Sequence, residues 1–196
     1  MNLIAIQAEQ IEWSERNFGK QHARYPLLGM IEELLEFEEA WQTRRALVQD
    51  DTDRTTAVDD VVDAIGDIAI YMLDYCGKVN WQLDHLWVLR RTLPDTDPEK
   101  WSYLVPLARR LAHHHLKGEQ GIRGTPEQHM LAIGDTCRAI LAHLELISKY
   151  LNKDFLEILD GVWSKVRKRD WTKNKANAHE VAEQQPAALL AKSVDP

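Results

Sequence analysis

Two segments combine a helical repeat of apolar residues with closely spaced carboxylates, and no other feature of the chain restricts its fold as tightly. In GMIEELLEFEEAW, residues 29–41, Met30, Ile31, Leu34, Leu35 and Trp41 recur at three- and four-residue steps, the period of an amphipathic helix. Glu32, Glu33, Glu36, Glu38 and Glu39 are interleaved among them. In DDVVDAIGDIAIY, residues 59–71, Val61, Val62, Ile65, Ile68 and Ala69 follow the same period, with Asp59, Asp60, Asp63 and Asp67 between them. Residues three or four apart share a helix face, so Glu33 and Glu36, Glu32 and Glu36, and Asp63 and Asp67 project together, with Asp60 one turn earlier. Like charges at these spacings weaken an isolated helix. If the two helices pack antiparallel, four or more carboxylates converge in a largely apolar frame, where uncompensated charge is strongly unfavourable. A divalent cation resolves that conflict. Oxygen-only donors favour Mg²⁺ or Mn²⁺ over zinc, and Mg²⁺ prefers to meet phosphate oxygens, so the expected substrate is a phosphorylated small molecule. The competing reading is a solvated acidic face plus a charge cluster at a helix N-terminus.

The rest of the chain is consistent with helices throughout. At 196 residues and 44% hydrophobic content it is long enough for one domain or two intimately packed halves. Lys and Arg total 24 against 31 Asp and Glu, which argues against DNA binding over the whole surface. Cys76 and Cys137, 61 positions apart, make neither a disulfide framework nor a CxxC pair, and no signal core or membrane span is evident. The expected location is the cytoplasm. Helices are expected over about 3–18, from Leu27 to Leu47, over 57–78, from Trp101 to Gly118, over 127–151 and over 154–169, with QDDTDRTT at 49–56 as a connecting loop. The Pro- and Asp-rich stretch 93–99 reads as a junction between a first half, 1–92, and a second, 100–172; the tail 173–196 has weak periodicity. The tetrapeptide AIGD occurs at 64–67 and again at 132–135, which suggests two related helical halves, the second with most of its acidic residues lost.

Other conspicuous residues are less specific. His113, His114 and His115 invite a metal reading, but adjacent helix positions point about 100° apart and cannot all face one ion. A basic closing segment contains Lys165, Arg167, Lys168, Arg169, Lys173 and Lys175, read either as the cationic end of a helix or as a phosphate contact. Lys117, Gln120 and Arg123 in the Gly-flanked KGEQGIRG are similar candidates. Trp13, Phe18 and Trp41 are candidates to stack on a base, against the ordinary reading of such aromatics as core. No P-loop, GxSxG or ExxH accompanies the carboxylates.

PLLGMIEELLEFEEA resembles the EExxE helix of the MazG-like all-α nucleoside triphosphate pyrophosphohydrolases, and DAIGDIAIYMLDYCGKVNW resembles the ExxD helix that follows it. WSERNFG, HLKGEQGIRG and VWSKVRKRDW resemble flanking and closing segments of that family. The resemblance implies Mg²⁺-dependent hydrolysis between the α- and β-phosphates of a nucleoside triphosphate, giving a monophosphate and pyrophosphate, in a bundle that self-associates as a homodimer. It places Glu33 and Glu36 as metal ligands and Glu32 as a further ligand or water-orienting base. The second motif departs from the pattern. Aligning its GD puts Asp67 at the family aspartate and Ala64 at its glutamate; aligning DVVD uses Asp60 and Asp63 instead. Asp63 belongs to both arrangements, as a ligand or as the substitute for the missing glutamate. The alternative is a degenerate relative that binds a nucleotide or a protein without catalysis.

Overall fold

The computed structural model describes residues 3–46, 51–81 and 101–173. Six α-helices make up the described bundle: α1, Leu3–Phe18; α2, Arg24–Ala46; α3, Asp51–Lys78; α4, Leu104–Gln120; α5, Pro126–Tyr150; and α6, Phe155–Val166. A short 3₁₀ turn, Trp101–Tyr103, leads into α4. No strand occurs among the described residues. The expected all-α architecture is therefore observed. The expected junction at 93–99 and the tail beyond residue 173 lie outside the described residues.

Helix boundaries follow local chemistry. Gly19, at φ 70°, takes the left-handed conformation that stops α1, and its amide bonds Glu15 O at 2.8 Å. Gly121 does the same for α4, and a reciprocal capping box between Thr125 and Gln128, with Pro126 at the first helical position, starts α5. The Asp154 side chain accepts the Leu156 and Glu157 amides and starts α6. One boundary differs from the sequence expectation: α3 begins at Asp51, inside the stretch read as a loop. Too few large apolar residues fall there for the sequence to show a helical repeat.

Helix α3 is central, packing against α1, α2, α5 and α6, while α4 and α5 form a second hairpin whose α4 also meets α2. The helical period explains the role of α3: Val61, Ile65, Ile68, Met72, Tyr75 and Cys76 are all fully buried. The α2–α3 pair is antiparallel. Gly29 lies against Tyr71, Glu33 beside Asp67, and Thr43 shares a cleft with Asp60, so residue numbers ascend along one helix as they descend along the other. Close approach at one end requires Gly29, because a Cβ there would sit 2.3 Å from the Tyr71 ring.

Candidate functional site

The seam between α2 and α3 opens into two adjoining cavities. One, of about 470 Å³, is acidic: Glu33, Glu36 and Glu39 from α2 face Asp60, Asp63 and Asp67 from α3. The other, of about 420 Å³, is aromatic, with Trp13, Phe18, Tyr25, Tyr71 and Trp171 in its wall. Glu33 and Asp67 line both. The arrangement follows from helix period: 29, 32, 33, 36, 39, 40 and 43 run along one side of α2, and 60, 63, 67, 71 and 74 along one side of α3.

The electrostatic stress is concentrated at the shared wall. Burial, then the charges of Asp67, Glu36, Glu32 and Asp63, push the Glu33 carboxyl up to about 7. Burial, then Asp63, push Asp67 up to about 6, although Arg169 and Lys165 oppose the shift. The frame is more open than the sequence argument supposed: Glu32, Glu36, Glu39, Asp60 and Asp63 are exposed, and only Glu33 and Asp67 are half-buried. Water relieves the like charges that burial would make prohibitive. The groove carboxylates do not bring three oxygens within 4.8 Å of one another, the spacing reached by one His/Glu group elsewhere among the described residues.

The closing segment supplies cations to this groove, and α1 holds it in place. Glu9, Trp13 and Asn17 stand at successive four-residue steps. Glu9 Oε2 accepts Trp163 Nε1 at 2.9 Å, Trp13 Nε1 donates to Arg169 O at 3.1 Å, and Asn17 Oδ1 accepts the Trp171 amide at 2.8 Å. This ladder fixes Arg169 in the wall of the aromatic cavity, where its buried Nε has no hydrogen-bond partner. One turn earlier, Lys165 Nζ donates to Asp63 Oδ1 at 2.9 Å.

The candidates from sequence thus separate. Glu33, Glu36, Asp60, Asp63 and Asp67 share the acidic cavity, and Glu32, Trp13 and Arg169 line the aromatic one. Phe18 joins them, whereas Trp41 is core, stacked on Phe37 at 5.7 Å. Lys168 is exposed and lines neither cavity. Lys117, Gln120 and Arg123 are likewise not brought to the groove: they belong to the exposed end of α4 and the turn into α5, where Lys117 Nζ bonds Gln120 Oε1 at 2.8 Å. Glycine termination and the capping box account for that segment as a helix connector. Sequence reasoning did not single out Tyr71, Tyr25, Trp171 or the groove position of Glu39. Tyr71 had a signal, since it lies four residues after Asp67 on the same face. Trp171 had only its place at the end of the closing segment VWSKVRKRDW, and turns beyond α6 deliver it to the cavity.

Asp74, also in the aromatic wall, is structural: Lys78 Nζ donates to it at 2.7 Å and Ser14 Oγ at 3.2 Å. No helix among the described residues is long and apolar enough to cross a membrane. No protein-family model, curated protein or solved structure matches the chain.

Proposed function

We propose that the chain is a Mg²⁺-dependent nucleoside triphosphate pyrophosphohydrolase of the MazG-like kind, acting at the α2–α3 groove. The observation that carries this reading is the wall shared by the acidic and aromatic cavities, Glu33 and Asp67. The donor set fits the ion. All ligands are hard oxygens, burial and then their mutual repulsion raise two carboxyl pKa values, and their wide spacing suits an ion that keeps several of its waters. Glu33, Glu36, Asp63 and Asp67 would hold it, partly through its waters, because their oxygens stand too far apart for three of them to bind one ion directly without side-chain movement; Asp60 and Glu39 stand at the outer end. Bound Mg²⁺ supplies neutralisation of the phosphate charge.

The chain's own residues do the rest. A cavity of about 420 Å³ lined by Trp13, Phe18, Tyr25, Tyr71 and Trp171 is of the size that takes a small organic ligand, and its rings offer stacking faces to a base. With the nucleoside seated there, the phosphate chain runs past Glu33 and Asp67 into the acidic cavity, and the α-phosphorus crosses that wall first. Arg169, in the wall of the aromatic cavity, and Lys165, bonded to Asp63, both act on Asp67, and their charge would answer that of the phosphates there. Glu32, exposed at the rim, is placed to orient the attacking water. Water oxygen bonds to the α-phosphorus as the bond to pyrophosphate breaks, the proton of the water passing to Glu32, and the products are a monophosphate and pyrophosphate. A homodimer accords with the family resemblance, and the cytoplasm with two free, buried cysteines.

A second reading has its own support. Ala64 puts a buried methyl into the acidic wall at a place where the family motif carries a glutamate, and Lys165 neutralises Asp63. On this reading the groove binds a nucleotide without turning it over. A screen of canonical and modified triphosphates with Mg²⁺ in ¹⁸O-labelled water separates the two. Hydrolysis is expected to yield labelled monophosphate and unlabelled pyrophosphate. Quenching of tryptophan fluorescence by nucleotide without hydrolysis would support the degenerate relative, and absence of both would reject the groove as a nucleotide site.

A further inference from the structure

The three consecutive histidines of α4 point apart, as helix geometry requires, and two of them meet partners on other parts of the chain. His114 Nδ1 lies 3.2 Å from His129 Nδ1. His115 instead turns toward the connection between α1 and α2, where its ring meets that of His22 at 6.0 Å between centroids. Glu119, one turn after His115, reaches both: its Oε1 is 2.9 Å from His22 Nε2 and 3.4 Å from His115 Nε2. All three ligand atoms fall within 4.8 Å of one another.

Two features distinguish this group from a chance surface cluster. His115 is held from behind, its Nδ1 3.2 Å from the hydroxyl of the fully buried Tyr75, which leaves Nε2 directed at the cluster. That Nε2 is also a buried orphan: the residue is 9% exposed, and the atom has no hydrogen-bond partner, the nearby Glu119 oxygen lying off the hydrogen-bonding direction. A buried imidazole nitrogen without a partner is unfavourable unless something else coordinates it.

We propose that His22, His115 and Glu119 form a binding site for a divalent transition-metal ion of the zinc type, separate from the acidic groove. Two imidazoles and a carboxylate are the donors such an ion selects and the hard ion of the groove does not. Metal–ligand bonds of about 2.0–2.1 Å put tetrahedral ligands about 3.3 Å apart, so closing on an ion needs side-chain adjustment, and His22 must give up the Arg24 amide bond that its Nδ1 accepts at 3.3 Å so that Nε2 is free of its proton. The Tyr75 hydroxyl on the far nitrogen of His115 is the outer partner that orients metal-binding histidines. His22 and Glu119 are half exposed, so the remaining coordination position faces water. The ion ties the α1–α2 connection to α4, and Gln21, beside His22, lines the aromatic cavity. Metal loading therefore braces one rim of that cavity without contributing a ligand to the groove.

The test is calorimetric titration of the full chain with Zn²⁺ in excess Mg²⁺, with Co²⁺ as a spectroscopic substitute. One Zn²⁺ per chain is expected, unaffected by Mg²⁺, together with a visible Co²⁺ band. His22→Ala and Glu119→Gln, both at exposed positions, should each weaken Zn²⁺ by more than about 100-fold, beyond the loss typical of outer-shell partners. Each should abolish the Co²⁺ band while the helical circular dichroism is kept. Glu33→Gln should leave Zn²⁺ affinity unchanged. Failure of the native chain to bind Zn²⁺, or native affinity in either His22→Ala or Glu119→Gln, overturns the site.

Discussion

Gly66 in α3 and Gly134 in α5 occupy the same place in the repeated AIGD, and each lets a large side chain rest on its helix. A Cβ at Gly66 would sit 2.3 Å from Val162, and one at Gly134 would sit 2.5 Å from Trp81. The aspartate that follows is treated oppositely in the two hairpins. Asp67 is half-buried beside Asp63, Glu33 and Glu36. Asp135 is exposed and paired with Arg138, one turn along its own helix. The α2–α3 hairpin retains like charges that weaken it, whereas α4–α5 places its aspartate where a local cation answers it. Carboxylates held in such an unfavourable field are what the proposed metal-dependent function would require of this hairpin and not of the other.

The sharpest test of this contrast is catalytic. Glu33→Gln and Asp67→Asn are each expected to lower Mg²⁺-dependent pyrophosphate release by about 10²–10³-fold, on the scale of losing one group that stabilises developing charge. Glu36→Gln and Asp63→Asn should act in the same direction, and removing the divalent ion with chelator should abolish turnover. Asp135→Asn should leave turnover within about twofold, as for a surface change away from the site. Equal losses at Asp67 and Asp135, measured on variants with native circular dichroism, would erase the asymmetry between the hairpins.

Stability offers a second test. Alanine in place of a helical glycine gains about 1 kcal/mol of helix propensity, while overpacking a core costs about 1–3 kcal/mol. Val162 is buried between α3 and α6 and has nowhere to retreat, so Gly66→Ala should destabilise by about 1–2 kcal/mol in denaturant titration. Trp81 lies past the end of α3 and is only half-buried, so it can swing away and Gly134→Ala should be near neutral. A larger loss at Gly134 would mean that Trp81 is as firmly held as Val162.

A smaller effect depends on pH. The folded chain holds the Glu33 proton up to about pH 7, and the unfolded chain only to about 4.5. Its contribution to stability is therefore full below pH 4.5 and is lost as pH rises through 7. Asp67 behaves likewise, between 3.8 and about 6. In metal-free protein, Glu33→Gln should thus stabilise by about 1 kcal/mol at pH 8, after allowing for solvent screening of a half-exposed group, and by nothing measurable at pH 4. Saturating Mg²⁺ at pH 8 should cancel the difference. A Glu33→Gln gain that is the same at pH 4 and pH 8 would show that charge is not its cause.

The helices were legible in the sequence because their apolar residues recur at the helical period, and α1, α2, α5 and α6 fall within a few residues of the expected bounds. The exception, the early start of α3, lies where the pattern had too few apolar residues to register. The acidic faces were legible for the same reason: Glu33 with Glu36, and Asp63 with Asp67, needed only the spacing of positions on one helix. His22 was not legible as a neighbour of His115, since no periodicity links a connection after α1 to the middle of α4.

What the sequence alone determined is each helix and the face on which its charges lie, because both depend on residues within two turns of one another. Which faces meet was decided only by packing. Antiparallel α2 and α3 selected Glu33 and Asp67 as the stressed pair, and the α1 ladder of Glu9, Trp13 and Asn17 carried Arg169 to the groove. The same packing left Lys117, Gln120 and Arg123 away from the groove. Charge alone could not distinguish these sets, because the field a carboxylate feels is fixed by burial and by neighbours drawn from distant parts of the chain.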